Sequence, residues 1–459
     1  MNPRALSVRA AAREAPGEPA LCGPGEEVRT WAELAAEAEA HAGAMRASGR
    51  GGGQGAAATP VEIEATNRPE TVTRILAALE TERPFVLLHP RWTAAERAER
   101  RAAVEAPATG AAILFTSGSG GRPRAVELSR DALAAAARAS AARLGWRTDD
   151  RWLCALPLAH VGGLSILVRC LAARRPVVLV ERFRPAEAAG ALERHRATLA
   201  SLVPTMLADL LDALPGWRPP PWLRAVLLGG AAAPERLWDE GLARGLPLLE
   251  TYGSTEACSQ VATAVPGGPP RDLRPLEGVE VRVRDGRIEV RSPALLTRYL
   301  PPGAHPSPFT DDGWLRTGDA GRLRGDGTLD VLGRADDVIV TGGEKVTPAE
   351  VEAALAALPG VRRAVVVGLP DPRWGEIVAA ALERGPGSGA GGDTGAGGDP
   401  LPARAVEAPA DLRAALESRL APFRRPRRVL WMDAIPLTPS GKPDRAAVAR
   451  ELEAWGQGV

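Results

Sequence analysis

Ala112-Ile113-Leu114-Phe115-Thr116-Ser117-Gly118-Ser119-Gly120-Gly121-Arg122-Pro123-Arg124 runs from an apolar stretch straight into a loop of hydroxyls and glycines. The apolar part reads as a buried strand, and the loop offers backbone N–H groups and hydroxyls to an anion such as a nucleotide triphosphate tail. It is not a Walker loop, because no Gly-Lys-Ser/Thr follows at the required spacing and the next helical pattern begins only after Ser129. Outward from this loop the same alternation repeats. Short apolar strands are expected at 152–156, 176–180, 199–203, 225–228 and 248–251, separated by helical patterns at 130–144, 186–195, 205–214 and 234–243. That order predicts an α/β fold, a large N-terminal domain of helix-covered β-sheets. From about 279 closely spaced strands, 279–283 and 287–291, turn at Asp285-Gly286 and predict a small β-rich module. After Arg334 a helix at 348–358, strands at 361–368, 377–382 and 428–432, a helical pattern at 411–420 and a last helix at 444–455 predict a small α+β C-terminal domain. The expected division is 1–334 and 335–459, with flexible glycine-rich stretches at 49–58 and about 385–402.

Composition narrows the function classes. In 459 residues, 45% hydrophobic and 25% charged content excludes disorder throughout. A net charge of +1 with interspersed signs argues against a nucleic-acid or anionic-membrane surface, so small molecules are the expected partners, with homo-oligomerisation left open. No run approaches the roughly 20 apolar residues of a membrane span, and the start carries arginines without a cleavage pattern, so a cytoplasmic location is expected. Cys22, Cys154, Cys170 and Cys258 lie far apart, which fits reduced thiols without assigned chemistry.

Of 57 basic residues only Lys345 and Lys442 are lysine, each in a glycine-containing loop. In a chain that writes arginine by default, a retained lysine marks a place where a compact ammonium is needed. Further candidates follow in order. Thr251-Tyr252-Gly253-Ser254-Thr255-Glu256 ends a strand and sets hydroxyls beside a carboxylate, so Thr255 and Glu256 can hold Mg²⁺ against phosphates. Thr317-Gly318-Asp319 offers a carboxylate for ribose hydroxyls. Gly229 and Gly230, after a strand, read as a tight strand-to-helix turn. His160, at the end of an apolar strand, reads as a pocket-lining residue or a satisfied buried histidine.

The loop from Thr116 to Arg124, the 252–256 stretch, Asp319, Gly333-Arg334 and Gly441-Lys442, in this order, resemble the core motifs of the acyl-adenylate-forming superfamily of acyl-CoA synthetases, luciferases and adenylation domains. The resemblance spans about 112–445. It implies a two-step reaction with ATP, Mg²⁺ and coenzyme A, in which a carboxylate attacks the α-phosphorus and the CoA thiol then attacks the adenylate. It implies Lys442, Glu256 and Thr255 as catalytic residues, and Thr116, Ser117, Gly118, Ser119, Arg124, Gly229, Gly230, Tyr252, Gly253, Asp319 and Arg334 as nucleotide-binding residues. By the same resemblance Gly342 and Gly343 face the CoA tunnel, and Asp336 is the hinge about which the C-terminal domain turns. Lys345, in that loop, reads as a solvated charge. Where that family's phosphate loop ends in lysine and carries two threonines, Ser119, Gly120 and Arg124 stand here, and weaker phosphate handling is expected. The first hundred residues carry little of the family's pattern and read as a pared-down subdomain.

Two segments, 151–167 and 251–263, more narrowly resemble the 2-succinylbenzoate-CoA ligases of menaquinone biosynthesis. For a dicarboxylic aromatic acid, His160, Ser254, Ser259, Gln260 and Thr263 are the acyl-pocket candidates, with Ser165 and Arg169 weaker. Another aryl or short acyl acid, or a non-catalytic adenylate-binding homologue, remain as alternative readings.

Overall fold

Parallel strands need a crossover connection, and buried ones read as continuous apolar runs. The chain supplies both several times over. The computed structural model describes residues 5–48, 59–104, 108–116, 124–385, 410–417, 419–438 and 441–456. The stretch at 49–58, nearly all of 385–402, and Ser117, Gly118, Ser119 and Gly120 lie outside the described residues.

A nine-stranded sheet runs in the order Arg274–Pro275, Ser259–Thr263, Leu248–Ser254, Ala225–Gly229, Leu199–Leu202, Trp152–Cys154, Val177–Leu179, Pro19–Cys22, Val28–Thr30. The six strands from Leu248–Ser254 to Pro19–Cys22 are mutually parallel, and antiparallel strands close both edges. A second, five-stranded sheet has the order Arg298–Leu300, Arg124–Leu128, Ala112–Thr116, Phe85–Leu88, Val61–Glu64. Helices Arg130–Leu144 and Val161–Ala173 lie between the two sheets, and the largest core joins Leu114, Val126, Trp152 and Leu227 to them. The buried Ala132 and the run Ala134 to Ala137 let the layers approach closely.

The expected β-rich module is a four-stranded antiparallel sheet, Glu280–Arg284, Arg287–Arg291, Leu315–Leu323, Leu329–Arg334. Its first turn has positive φ at both Asp285 and Gly286, the conformation that Asp-Gly favours in a two-residue hairpin. A fourth sheet, drawn wholly from residues after Arg334, comprises Glu344–Val346, Ile339–Thr341, Gly375–Arg384 and Val361–Asp371, with Arg428–Met432 beside Gly375–Arg384. Helices Pro348–Ala356 and Arg445–Gly456 accompany it.

The first hundred residues depart from the expectation of a pared-down subdomain. They contribute helices Val8–Glu14, Trp31–Ser48, Pro69–Glu80 and Ala94–Ala103 and strands to both large sheets. The strands are three or four residues long and helix Trp31–Ser48 is rich in alanine, so neither gives a strong periodic signal. Tertiary packing decides them: Trp31, Leu34, Ile75 and Phe85 are almost wholly buried.

Glu127 pins the second sheet. Its fully buried carboxylate accepts from the backbone N–H groups of Thr109 (2.7 Å) and Gly110 (2.6 Å) and from Arg298 Nε (2.6 Å). This holds the strand Arg124–Leu128 whose first residue flanks the phosphate loop. Glu127→Ala strands three donors and is expected to lower unfolding free energy by about 3 kcal/mol, read as a lowered denaturation midpoint. An unchanged midpoint contradicts this anchoring.

Candidate active site

In open α/β sheets the loops after the carboxyl ends of parallel strands form the ligand crevice. Thr116, Gly229 and Ser254 all end such strands. The crevice wall is built by close backbone approach. A Cβ on Gly229 would lie 2.3 Å from the Thr251 carbonyl oxygen, and one on Gly253 would lie 1.5 Å from that of Ser259. Both positions therefore require glycine.

Tyr252 projects from strand Leu248–Ser254 to the four-stranded sheet, where its hydroxyl donates to Asp319 Oδ2 at 2.7 Å. Arg334, paired in register with Asp319 on the neighbouring strand, meets Oδ1 at 3.3 Å. The guanidinium lies over Gly318, where a Cβ would come within 2.2 Å of Nη2. Thr317 donates to Ile288 O (2.7 Å) and accepts from the Asp319 N–H (3.2 Å), which fixes the bend carrying the carboxylate. Burial, and then the Asp319 charge, push the Tyr252 phenol well above its ordinary pKa, so it stays a donor.

Glu256 sits in the 3₁₀ turn Thr255–Ala257, and one of its oxygens, Oε1, accepts from Tyr299 at 3.1 Å. The Arg124 guanidinium lies over the Tyr299 ring, 5.5 Å from its centroid. Tyr299 thus links the strand that follows the phosphate loop to the candidate metal ligand. Sequence reading passed over it, although the chain has only two tyrosines and each donates to a cleft carboxylate. No group of three or more His, Cys, Asp or Glu among the described residues can hold a metal ion. One carboxylate oxygen with a neighbouring hydroxyl suits Mg²⁺, which keeps waters and takes substrate phosphates rather than an all-protein cage.

Lys442 comes from the fourth-sheet unit. Its turn is closed by Thr438 N–H to Lys442 O (2.7 Å) and Lys442 N–H to Thr438 Oγ1 (3.2 Å), with Gly441 at φ +80°. The Thr205 hydroxyl donates to Gly441 O at 2.9 Å, docking the turn on the large sheet's helix Pro204–Ala213. Lys442 Cε then lies 3.6 Å from the position a Cβ would take on Gly230. Water still reaches this side chain, yet protein surrounds the ammonium closely enough that desolvation lowers its pKa, opposed by the carboxylates of Asp319 and Glu256.

The acyl candidates separate into two groups. Ser165 and Arg169 lie four residues apart on helix Val161–Ala173, hence on one face. Ser165 donates to Gly162 O (2.9 Å), and its Oγ lies 3.3 Å from Ser259 Oγ, from whose hydroxyl it can accept. Arg169 is buried with its guanidinium 5.4 Å from the Trp152 ring centroid, and its Nε and Nη2 meet no hydrogen-bond partner among the described residues. Burial lowers its pKa to about 10. Gln260 and Thr263 are buried and spend hydrogen bonds inside the sheet: Gln260 Nε2 donates to Thr263 Oγ1 (2.7 Å), and the Thr251 and Thr263 hydroxyls pair at 2.8 Å, while Gln260 Oε1 meets no partner among the described residues. Ser254 faces Ser259 across the strand pair.

His160 caps helix Val161–Ala173 and meets His89, ring centroids 5.4 Å apart, a neighbour that sequence gave no reason to expect. Gly342 and Gly343 turn the hairpin Ile339–Thr341/Glu344–Val346 at positive φ, and the Gly342 N–H donates to Trp374 O at 2.8 Å. Asp336 pairs with Arg287 at 3.2 Å across the junction between the four-stranded sheet and the last unit. No helix among the described residues is long and apolar enough to cross a membrane.

Residues 99–300 match the family described as AMP-binding enzyme, and residues 350–442 match AMP-binding enzyme C-terminal domain. The chain is 37% identical over 349 residues to the 2-succinylbenzoate–CoA ligase of Bacillus pumilus (strain SAFR-032), a match covering 73% of this chain and 68% of that protein. It is 38% identical over 303 residues to the ligase of the same name from Bacillus subtilis (strain 168), covering 63% and 62%. Among solved structures, the o-succinylbenzoate CoA synthetase of Bacillus subtilis in complex with the acyl-adenylate intermediate OSB-AMP superimposes with a TM-score of 0.82 at 29% identity, over 96% of this chain and 97% of that one. The same enzyme with ATP and magnesium ion gives 0.82 at 28%, over 97% and 98%.

Burial lowers the His160 pKa to about 3 and the His89 pKa to about 4, so both rings are neutral at physiological pH. An unfolded histidine titrates near 6.5, so the unfolded state binds the extra protons. The stability these rings carry is full above that pH and is lost as pH falls toward about 4 and then 3. His160→Phe is expected to flatten the decline of the unfolding midpoint between roughly pH 6.5 and 4. A decline as steep as in the parent chain contradicts this.

Proposed function

The chain belongs to the AMP-binding enzyme family, and from that premise we propose that it is the ATP-dependent ligase that adenylates 2-succinylbenzoate and transfers the acyl group to CoA in menaquinone biosynthesis. Pyrophosphate and AMP are the other products. The observation that carries the reading is the convergence of Lys442, beside Gly230, with Glu256 and the Asp319–Arg334 pair. A cytoplasmic location, beside the pools of ATP and CoA, belongs to the same reading.

In the first half-reaction a substrate carboxylate oxygen forms a bond to the α-phosphorus as the bond to pyrophosphate breaks. Charge gathers on the α-phosphoryl oxygens, and a preorganised ammonium is worth most there. Lys442 bridges the carboxylate and that phosphoryl group. Asp319, held by Tyr252 and Arg334, takes the ribose hydroxyls, and Gly229-Gly230 lies against the adenine. Thr116, the 117–119 loop and Arg124 hold the phosphates. Glu256 and Thr255 would hold Mg²⁺, which when bound neutralises phosphate charge. In the second half-reaction the CoA sulfur bonds to the acyl carbon and AMP leaves. Asp336 serves as the hinge between 1–334 and 335–459 that withdraws Lys442 and brings Gly342-Gly343 to the thiol channel.

A second carboxylate on the substrate needs a cation inside the acyl pocket. Arg169 supplies one, buried, one helical turn from Ser165 and with Nε and Nη2 unpaired among the described residues, whereas Gln260 offers only its unpaired acceptor Oε1 and Thr263 is committed to its sheet. A monocarboxylic acid would leave that guanidinium unmatched, at a cost of several kcal/mol.

Pyrophosphate release with Mg²⁺ and ATP, measured for 2-succinylbenzoate and for analogues lacking either carboxylate, is expected with 2-succinylbenzoate alone, with a thioester when CoA is added. Arg169→Gln should raise the KM for the acid roughly 10- to 100-fold with little change in the KM for ATP. Efficient release with a one-carboxylate acid replaces the substrate, and silence with all acids supports the non-catalytic alternative.

Lys442→Ala is expected to slow adenylate formation roughly 10²- to 10³-fold while sparing CoA transfer from supplied acyl-adenylate. Asp336→Pro should show the opposite split. Equal losses in both half-reactions contradict these roles.

A further inference from the structure

Arg362 and Arg363 are consecutive on strand Val361–Asp371, and on a regular strand their side chains would point to opposite faces. A bulge lies at this point: Val361 pairs with Arg384 and Arg363 with Glu383, leaving Arg362 as the extra residue. A bulge re-aims side chains. Both guanidinium groups therefore reach the same carboxylates. Arg362 meets Asp209 Oδ1 (2.9 Å) and Asp212 Oδ2 (2.8 Å), and Arg363 meets Asp209 Oδ1 (3.2 Å).

These aspartates belong to helix Pro204–Ala213 of the nine-stranded-sheet unit, and with Thr205 they occupy one stripe at i, i+4 and i+7. Carboxylates near a helix C-terminus oppose the helix dipole, so the helix itself gains nothing from them there. On the arginine side, Glu383 is buried and ties the cluster to the catalytic turn. It accepts from Arg362 Nη1 at 2.8 Å, lies 3.7 Å from Arg363 Nη1, and accepts from the Ile435 backbone N–H at 2.9 Å. Ile435 opens the segment that ends in Lys442, whose neighbour Gly441 is held by Thr205 of the same helix. One helix thus grips both the base and the tip of the lysine-bearing turn.

We propose that the Arg362/Arg363–Asp209/Asp212 cluster is an electrostatic latch that positions Lys442 for adenylation and must release before thioester formation. This rests on the two-step reading above. Isolated exposed ion pairs contribute little, but a network anchored on a buried carboxylate has its geometry fixed in advance. None of the four residues is among the substrate-binding residues proposed above. They are positioning residues, and their effect belongs to the first half-reaction alone.

The test is the near-isosteric Asp209→Asn/Asp212→Asn chain, assayed in both half-reactions with the distance between the two units measured separately. Spin labels on Arg236→Cys and Arg450→Cys suit the second readout, since both positions are exposed and the four native cysteines are buried. Adenylation should fall roughly 5- to 30-fold, transfer from supplied acyl-adenylate should hold or rise, and the narrow distance distribution should broaden. A charge exchange, Arg362→Asp with Asp209→Arg, should restore part of the adenylation lost by Arg362→Asp alone. Unchanged adenylation with an unchanged distribution overturns the latch, as does equal loss in both half-reactions with a lowered unfolding midpoint. A parent chain inert toward 2-succinylbenzoate defeats the substrate reading instead, and the distance measurement still decides the latch.

Discussion

One ammonium has to reach a cleft whose other polar groups are mounted on different sheets, and the architecture is arranged around that delivery. Lys442 arrives on a turn closed by Thr438 and held by the Thr205 hydroxyl on Gly441 O. Around it Asp319, Arg334 and Glu256 set the electrostatic balance, with desolvation lowering the lysine pKa and the two carboxylates raising it. An ammonium held this way is a strong partner for a phosphoryl oxygen, because its position is fixed before charge develops there.

The two tyrosines divide the remaining work. Tyr252 joins the parallel sheet to the antiparallel module through Asp319, and Tyr299 joins the strand after the phosphate loop to Glu256 through its hydroxyl and the Arg124 contact. Asp319 is thereby held at both oxygens, by Tyr252 and Arg334, and Glu256 at one, by Tyr299. Glycine is required where these strands cross closely, most severely at Gly253 under the Ser259 carbonyl.

Much of this was legible in the sequence. The central parallel strands announce themselves as apolar runs, and the scarcity of lysine singled out Lys442 before any geometry was known. The hairpin at Asp285-Gly286 and the strand Arg287–Arg291 fall where turn chemistry put them. Less visible were features that depend on partners far away in the chain. Helix Trp31–Ser48 and strand Pro19–Cys22 acquire their identity from burial, since alanine-rich or four-residue segments carry little period of their own. The His89–His160 contact, Tyr299 against Glu256, and Arg362 and Arg363 against Asp209 and Asp212 are tertiary juxtapositions, the last made possible by a bulge that no local pattern foretells. Thr263 shows the reverse case: a hydroxyl near a motif can be spent on the sheet beneath it.

The central claim is that the acid is activated by transfer to the α-phosphorus. It is tested most directly by supplying 2-succinylbenzoate with ¹⁸O in its carboxylates and following the label through complete turnover with ATP and CoA. The account predicts AMP carrying one ¹⁸O atom, left behind when the thiol displaces the adenylate. Label in inorganic phosphate with ADP as the nucleotide product, or thioester formation with unlabelled AMP, would contradict it.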